Sequence, residues 1–282
     1  MPKSLKRKAP GHHGKAPYQA NKAAKPVQKK SKPREPTIPF HPADDRILLV
    51  GEGDLSFARA VVEHHGACDV TATSYDGQET LYEKYAPQDE ENVKYLEDEG
   101  QIVLYHVDAT KLENNKDLKQ KGRWDRILFN FPHVGGKSKD VNRQVRFNQE
   151  LLVKFFASAS ALLSSGAAGD TGSDNAATII VTLFEGEPYT LWNIRDLARH
   201  SGLEVQRSFK FVASAYPGYS HARTLGNIEG GGGWKGEDRE ARSYVFQKKA
   251  PDTGTKIKDM RQQRLGGGEK KKDDSDSESD DG

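Results

Sequence analysis

Short apolar runs alternate with amphipathic or charged stretches along the middle of the chain. The first run, Ile47–Val50, breaks at Gly51, and apolar residues then recur at helical spacing from Leu55 to Val62. This pattern predicts a strand, a glycine turn and a helix. Later apolar runs predict the remaining strands, which are Asp69–Tyr75, Ile102–Val107, Trp124–Phe129, Thr178–Phe184, Leu203–Val212 and Ser243–Gln247.

The stretches between these strands predict helices. Glu79–Gly100 is charged and compatible with a helix, an amphipathic pattern runs from about Arg143 to Ser164, and a further helix is expected over Leu191–His200. Strands that alternate with helices imply right-handed crossovers and a parallel sheet covered on both faces. The sequence therefore predicts an α/β fold with a mainly parallel, seven-stranded sheet.

Both ends of the chain differ from its middle in composition. Only 34% of the 282 residues are hydrophobic, which is low for a chain that folds throughout. The first 40 residues are rich in lysine, arginine and proline, and the run Asp273–Asp281 is acidic. We predict a disordered basic tail over residues 1–43, one folded domain over 44–250, and a disordered tail with an acidic, serine-rich end over 251–282.

Composition also excludes several classes of protein. The single cysteine, Cys68, excludes an intramolecular disulfide framework and a cysteine-rich zinc site, and no apolar stretch approaches the roughly 20 residues that cross a bilayer. We therefore expect a soluble intracellular monomer with no metal and no membrane contact. The basic tail predicts a nuclear or nucleolar location and a grip on nucleic-acid phosphates, although a merely solubilising tail has the same composition.

Four successive predicted strands end in groups suited to a ligand. These are the glycine turn Gly51–Asp54, then Asp76, Asp108 and Asn130. Asp76 follows the turn at close to the spacing, roughly 20 residues, at which an acid meets a ribose in dinucleotide folds, but Asp-Gly is also a common turn pair. Ligands of such sheets bind beyond the carboxyl ends of the strands.

Motifs that are absent from the chain narrow the type of ligand that the glycine turn can bind. A nicotinamide site would need glycine where Ser56 stands, and both the Gly-x-Ser-x-Gly elbow and the phosphate-binding loop are absent. A class I S-adenosylmethionine-dependent methyltransferase fits better, with the turn at the methionine part of the cofactor, Asp76 at ribose and Asp108 at adenine. The residues predicted to bind the cofactor are Gly51, Glu52, Gly53, Asp54, Phe57, Tyr75, Asp76, Asp108, Ala109 and Asn130.

Four segments of the chain carry a family resemblance, namely Gly51–Phe57, Asn130–Lys137, Arg146–Leu152 and Tyr216–Tyr219. Together they resemble the eukaryotic large-subunit rRNA uridine-N3 methyltransferases. The resemblance covers approximately residues 44 to 248 and implies a Rossmann-like class I methyltransferase fold. It further implies a nucleolar enzyme that uses S-adenosylmethionine to make 3-methyluridine in large-subunit rRNA or a pre-ribosomal particle.

The segment Asn130, Phe131, Pro132 and His133 is the predicted catalytic motif. N3 lies on the Watson–Crick edge of uridine, so the base must be unpaired or flipped out before it can react. Phe131 is the candidate stacking residue, and Asn130 can position the base. His133 is the nearest candidate base for the N3 proton, or else a histidine that only shapes the loop.

Contacts to RNA are expected outside this motif. Lys137, Arg143 and Arg146 can form a phosphate-facing edge or a solvated helix start. The long connection Ala213–Arg242 contains Tyr216, Tyr219 and Arg223, and it predicts either a cover over the substrate or an inert insertion. A non-catalytic RNA-binding assembly factor with the same fold remains the alternative to an enzyme.

Overall fold

The computed structural model describes residues 35–136, 138–164, 176–224, 226 and 236–249. The chain divides into two units, Met1–Glu35 and Pro36–Gly282, and the described elements all belong to the second. Most of the predicted tails lie outside the described residues. Phe40 is buried in the core, and Asp45 Oδ2 lies 2.9 Å from Arg126 Nε. The predicted domain boundary at residue 44 stays a prediction.

One mixed sheet of seven strands organises the described residues. Its order is β3-β2-β1-β4-β5-β7-β6, with the first five strands parallel and β7 antiparallel to both of its neighbours. The predicted mainly parallel seven-stranded sheet is therefore confirmed. The strands are β1 (Arg46–Leu49), β2 (Asp69–Thr73), β3 (Ile102–Leu104), β4 (Arg126–Asn130), β5 (Thr178–Phe184), β6 (Leu203–Phe211) and β7 (Ala241–Lys248).

Helices connect these strands and cover both faces of the sheet. The charged stretch 79–100 forms two helices, because Pro87 disfavours a helical conformation at Ala86. The longest helix begins where the Asp140 side chain accepts a hydrogen bond from the Arg143 N–H at 2.9 Å. The helices are α1 (Ser56–His65), α2 (Gln78–Tyr85), α3 (Gln88–Asp98), α4 (Lys116–Gln120), α5 (Val141–Leu162) and α6 (Ile194–His200).

Alternating side chains of the strands divide the core into two layers. Leu49 packs with residues of α1 and α3 on one face, whereas its neighbour Leu48 packs with Phe155 and Phe156 of α5 on the other. All seven residues of β5 are buried, as expected for a strand covered on both faces. No helix in the described part of the chain is both long and apolar enough to span a bilayer.

The order of the strands fixes where a ligand can bind. From β1 the chain proceeds outward to β2 and β3, and it then returns to β4 on the other side of β1. The crossovers on either side of this reversal leave on opposite faces, so a crevice opens at the carboxyl ends of β1 and β4. The glycine turn follows β1, and Asn130 is the last residue of β4.

Candidate active site

A cavity of about 880 Å³ occupies this crevice. Residues at or after the ends of the first five strands line it. The ligand-suited residues at the predicted strand ends therefore lie around one cavity. Whether they bind a cofactor stays a prediction. All ten residues predicted to bind the cofactor are in the lining, namely Gly51, Glu52, Gly53, Asp54, Phe57, Tyr75, Asp76, Asp108, Ala109 and Asn130.

The lining divides into two halves of different chemistry. Residues after β1, β2 and β3 supply carboxylates, and we call Glu52, Asp54, Asp76 and Asp108 the acidic half. Residues at or after the ends of β4 and β5 supply rings, and we call Phe131, His133, Phe184 and Tyr189 the aromatic half. The halves meet at the crevice because β1 and β4 are neighbours in the sheet.

The glycine turn is shaped by protein contacts. Gly51 has a φ of +69°, and a Cβ there would lie 2.6 Å from the ring of Phe129. A Cβ on Gly53 would lie 2.7 Å from the Cβ of Ala222. Both distances are shorter than nonbonded carbon atoms allow, so the two glycines let a ring and a distant segment approach the turn.

Two carboxyl groups of the acidic half stand in the turn itself. Asp54 Oδ1 accepts hydrogen bonds from the Ser56 N–H at 3.1 Å and the Ser56 hydroxyl at 2.7 Å. Burial, and then the charge of Asp54, raise the pKa of Glu52 from its ordinary 4.5 to about 8. Burial also raises the pKa of Asp54. Removing water disfavours the ionised forms, so a cationic ligand in this place would stabilise them.

Asp76 follows β2 and is held from two sides. Its Oδ2 accepts a hydrogen bond from Lys84 Nζ at 2.7 Å, and its carbonyl oxygen accepts from the His106 N–H at 3.2 Å. A Cβ on Gly77 would clash with the His106 ring, so a larger residue next to Asp76 would need that ring to move. The adjacent Tyr75 is 71% exposed and lies in the cavity lining.

Asp108 lies beyond the end of β3. Its Oδ1 accepts hydrogen bonds from the Thr110 N–H at 2.8 Å and the Thr110 hydroxyl at 2.7 Å. Burial alone would raise the pKa of Asp108, but these bonds and the charge of Lys111 lower it below the ordinary value. Asp108 is therefore a stable anion, in contrast to Glu52.

The aromatic half begins at Phe131, which follows β4 with a φ of +50°. A non-glycine residue in this conformation is uncommon and is usually fixed by its surroundings. The Phe131 ring centroid lies 4.4 Å from that of Phe184 and 4.6 Å from that of His221. The Asn130 Nδ2 beside it is buried and has no hydrogen-bond partner within the described ranges. Pro132 is buried and does not line the cavity.

His133 lines the cavity with one ring nitrogen already engaged. Its Nδ1 accepts a hydrogen bond from the Gly135 N–H at 2.9 Å, and burial lowers its pKa. The neutral ring with an acceptor at Nδ1 carries its proton on Nε2, so it presents a donor there. Both predicted roles, base and loop support, stay predictions.

Helix α5 holds the segment after β4 in place. The Val134 N–H donates to Asn148 Oδ1 at 3.0 Å, and Gln144 Nε2 donates to the Gly135 carbonyl at 2.5 Å. Phe147 and Leu151 of the same helix line the cavity. The amides at 144 and 148 thus fix the loop that carries His133.

A segment of the predicted cover, Tyr216–Thr224, packs against the acidic half, and we call it the cover segment. The Ser220 N–H donates to the Ser56 hydroxyl oxygen at 3.1 Å, and the Ser220 carbonyl oxygen also lies 3.1 Å from that hydroxyl. The Tyr85 hydroxyl donates to the Arg223 carbonyl at 2.7 Å. These bonds join the cover segment to the start of α1 and the end of α2.

The structure separates the residues predicted to bind RNA into three groups. Tyr219 and Arg223 line the cavity, whereas Tyr216 is buried with its ring stacked on Phe211. Arg143 and Arg146 are exposed on α5 and lie outside the cavity lining. Lys137 lies outside the described residues. RNA contact by any of them stays a prediction.

Several lining residues could not be found from the sequence. Lys84, Phe184 and Tyr189 belong to no motif, and they reach the cavity from α2, from the end of β5 and from the turn after β5. His221 lies within the predicted cover, and burial, the largest cause, lowers its pKa to about 4. Its Nδ1 is 3.1 Å from the Tyr219 hydroxyl.

The sheet and its cavity define a class of protein. Seven strands in this order, with the last strand antiparallel between the fifth and sixth and a ligand crevice at β1 and β4, form the class I methyltransferase fold. Residues 48–223 match the model of the BMT5-like family, described as rRNA (uridine-N3-)-methyltransferase BTM5-like. The chain belongs to this family, so the resemblance noted in the sequence is confirmed.

Two relatives and one solved structure show similarity to this chain over different shares of their own length. The 25S rRNA (uridine(2634)-N(3))-methyltransferase of Saccharomyces cerevisiae is 32% identical in an alignment that covers 75% of this chain and 74% of that protein. Heavy metal-associated isoprenylated plant protein 41 of Arabidopsis thaliana is 33% identical over 66% of this chain but only 34% of its own length. The crystal structure of the 16S rRNA methyltransferase KamB aligns with a TM-score of 0.41 and 14% identity, over 74% of this chain and 90% of that chain.

Proposed function

We propose that this protein is an S-adenosylmethionine-dependent enzyme that methylates N3 of a uridine in large-subunit rRNA. The observation that carries the proposal is the union of an acidic and an aromatic half in one cavity of about 880 Å³. This volume lies within the range of about 300–1,000 Å³ for sites of small molecules and cofactors. Family membership supports the reaction, and the two halves support a separate place for each reactant.

We assign the cofactor to the acidic half, whose carboxylates can accept hydrogen bonds and balance positive charge. Glu52 and Asp54 suit the ammonium and sulfonium charges, Asp76 suits the ribose hydroxyls, and Asp108 suits the adenine amino group. The raised pKa of Glu52 supports this assignment, because a cation would stabilise the ionised carboxylate. When bound, the cofactor supplies an electrophilic methyl group on sulfur.

The aromatic half suits an extruded uracil. Phe131 offers a ring for stacking, and the unpartnered Asn130 Nδ2 can donate to a uracil oxygen. The Nε2–H of neutral His133 can donate to the other oxygen. Removal of the N3 proton places negative charge on both oxygens, so these donors would favour the deprotonated base. Water can accept this N3 proton, so the proposal does not need His133 as the base.

The finer assignments belong to the same proposal. We assign the substrate to large-subunit rRNA or a pre-ribosomal particle, and the location to the nucleus and nucleolus. The folded domain is residues 44–250 together with the short preceding segment that buries Phe40, and the basic residues before that segment add sequence-independent affinity for phosphates. The protein acts as a monomer.

Reconstitution with purified components tests the reaction. The full chain is incubated with S-adenosylmethionine and large-subunit rRNA from cells that lack the protein, and the digested nucleosides are analysed by mass spectrometry. We expect 3-methyluridine with the wild-type chain and none with Asp76→Ala. RNA binding without methyl transfer, by a folded protein that binds S-adenosylmethionine, would favour the non-catalytic assembly factor instead.

A further inference from the structure

A second, smaller cavity adjoins the aromatic half. It has a volume of about 190 Å³ and shares Phe184 and Tyr189 with the larger cavity. Arg195 and Tyr244 also line it. A space of this size holds several water molecules, yet it is below the usual range for a complete small-molecule site. Its dimensions and its aromatic wall suit a single planar ring.

Two arginines lie over the rings around this wall. The guanidinium carbon of Arg195 is 5.6 Å from the ring centroid of Tyr244. That of Arg239 is 4.3 Å from the Phe184 centroid and 5.4 Å from the Tyr189 centroid. Guanidinium groups at such distances are attracted to the ring faces, and stacking leaves their N–H edges available for hydrogen bonds.

Neither arginine is neutralised by a carboxylate within the described ranges. This distinguishes them from their neighbours, because Arg199 pairs with Asp196 at 2.5 Å and Arg242 pairs with Glu185 at 2.6 Å. The pairing of Glu185, which also lines the small cavity, removes much of its repulsion for an anion. Both Arg195 and Arg239 are exposed, so their charges remain accessible to a phosphate.

We propose that the small cavity binds the nucleotide next to the target uridine, with its base against Tyr189 and Tyr244 and its phosphate at Arg195 and Arg239. This inference rests on the proposed function, which places the uridine in the aromatic half. A nucleotide one phosphodiester away must lie close to that half, and the small cavity begins at the same two rings. Single-stranded RNA is commonly bound by aromatic side chains that stack on its bases and by basic side chains that contact its phosphates.

Removal of one base at a time from a short RNA tests the site. The probe is a heptanucleotide with a central uridine among adenosines, together with versions that lack the base immediately 5′ or 3′ of the uridine. Binding to the full chain is measured by fluorescence anisotropy. We expect one of the two abasic RNAs to bind the wild type about 5- to 100-fold more weakly, as the loss of one stacked base implies.

Variants then locate that loss. In Arg195→Ala and in Tyr244→Ala the intact and abasic RNAs should bind with affinities within about twofold of each other. Arg199→Ala is the matched control, because Arg199 is on the same helix but is paired with Asp196 and does not line the cavity. The Arg199→Ala protein should show the same difference in affinity between intact and abasic RNA as the wild type. Since Arg195 is exposed, its variant tests the site without disturbing the core.

Two outcomes would overturn the inference. One is a wild type that loses no affinity for either abasic RNA, and the other is a loss of affinity that persists in both variants. Methyl transfer to rRNA is measured separately with the wild-type chain. If the wild type transfers no methyl group but still binds one abasic RNA more weakly, the proposed function is rejected and the nucleotide site is kept. If it transfers methyl groups but binds both abasic RNAs as tightly as the intact RNA, only the nucleotide site is rejected.

Discussion

The two halves of the large cavity are built from opposite chemistry on one sheet. The acidic half offers carboxylates, and burial raises the pKa of Glu52 and Asp54. The aromatic half offers rings, and Arg239 lies over two of them. In the proposed function, one half therefore takes a cation and the other takes a flat base joined to phosphate. Each ligand would be repelled or poorly held in the other's place, so this division would orient both reactants.

The largest expected effect is at the acidic half, in the variant Asp76→Ala. A carboxylate that accepts hydrogen bonds from ribose contributes about 1.5–3 kcal/mol for each bond. We therefore expect S-adenosylmethionine to bind about 100-fold more weakly or worse, as measured by isothermal titration calorimetry. The variant also leaves Lys84, the present partner of Asp76, without its carboxylate.

Asp69→Ala is the matched control for this loss. Asp69 is the first residue of the strand that Asp76 follows, and it also forms an ion pair, with Arg46 at 2.9 Å. It does not line the cavity, so cofactor affinity should remain within about twofold of the wild type. Equal weakening by both variants would mean that Asp76 acts through folding and not through the cofactor.

The acidic half also predicts a dependence of cofactor affinity on pH. Since the pKa of Glu52 is raised from 4.5 to about 8, the free folded protein holds a proton there that the unfolded chain loses. The contribution of Glu52 to stability therefore falls as pH rises between these values, and binding of a cation must release the proton. Affinity for S-adenosylmethionine should rise by up to about tenfold per pH unit between about pH 6 and pH 7.5.

Calorimetry in buffers of different ionisation enthalpy measures the released proton directly. In Glu52→Gln the release should disappear, and the pH dependence of affinity should flatten. Wild-type affinity that does not change over this pH range would show that Glu52 does not ionise on binding, and the acidic half would then need another explanation.

A smaller effect is expected where the cover segment meets the glycine turn. In Gly53→Ala the new Cβ would lie 2.7 Å from the Cβ of Ala222, so the unfolding free energy should fall by about 1–3 kcal/mol. Thermal denaturation measures this as a lower midpoint. The double variant Gly53→Ala/Ala222→Gly should recover most of the loss, because the opposing methyl group is gone. Absence of recovery would mean that the cover segment does not pack there in solution.

The smallest effect is expected at the exposed start of α5. If Arg146 contacts a phosphate, Arg146→Ala should weaken RNA binding only a few-fold and reduce the slope of log affinity against log salt by about 1. Titrations of RNA at several salt concentrations measure this slope. An unchanged slope would assign Arg146 to the solvated surface, the alternative that its exposure also permits.

Local patterns were sufficient to predict the sheet and the residues at its strand ends. Buried parallel strands are continuous apolar runs, so Thr178–Phe184 was predicted with its exact bounds. The run Ile102–Val107 was predicted too long, because His106 adopts a left-handed conformation with a φ of +55° and the strand ends at Leu104. Periodicity does not report such a local change of backbone.

Contacts between distant parts of the chain could not be predicted in this way. Sequence spacing does not show that Ser220 binds Ser56, or that Tyr216 turns into the core while Tyr219 faces the cavity. Arg195 and Arg239 look like ordinary surface charges in the sequence. Their significance depends on which rings lie beneath them and on which carboxylates are absent, and both are properties of the folded chain.

Nucleoside analysis of cellular rRNA tests whether this protein makes 3-methyluridine in the large subunit. Large-subunit rRNA from cells that lack this protein is digested and analysed by mass spectrometry, with and without re-expression of the wild-type chain or of Asp76→Ala. We predict that 3-methyluridine is lost from the rRNA of cells without the protein, returns with the wild-type chain and does not return with a folded Asp76→Ala protein. Unchanged 3-methyluridine in the cells without the protein, or its return with Asp76→Ala, would contradict the account.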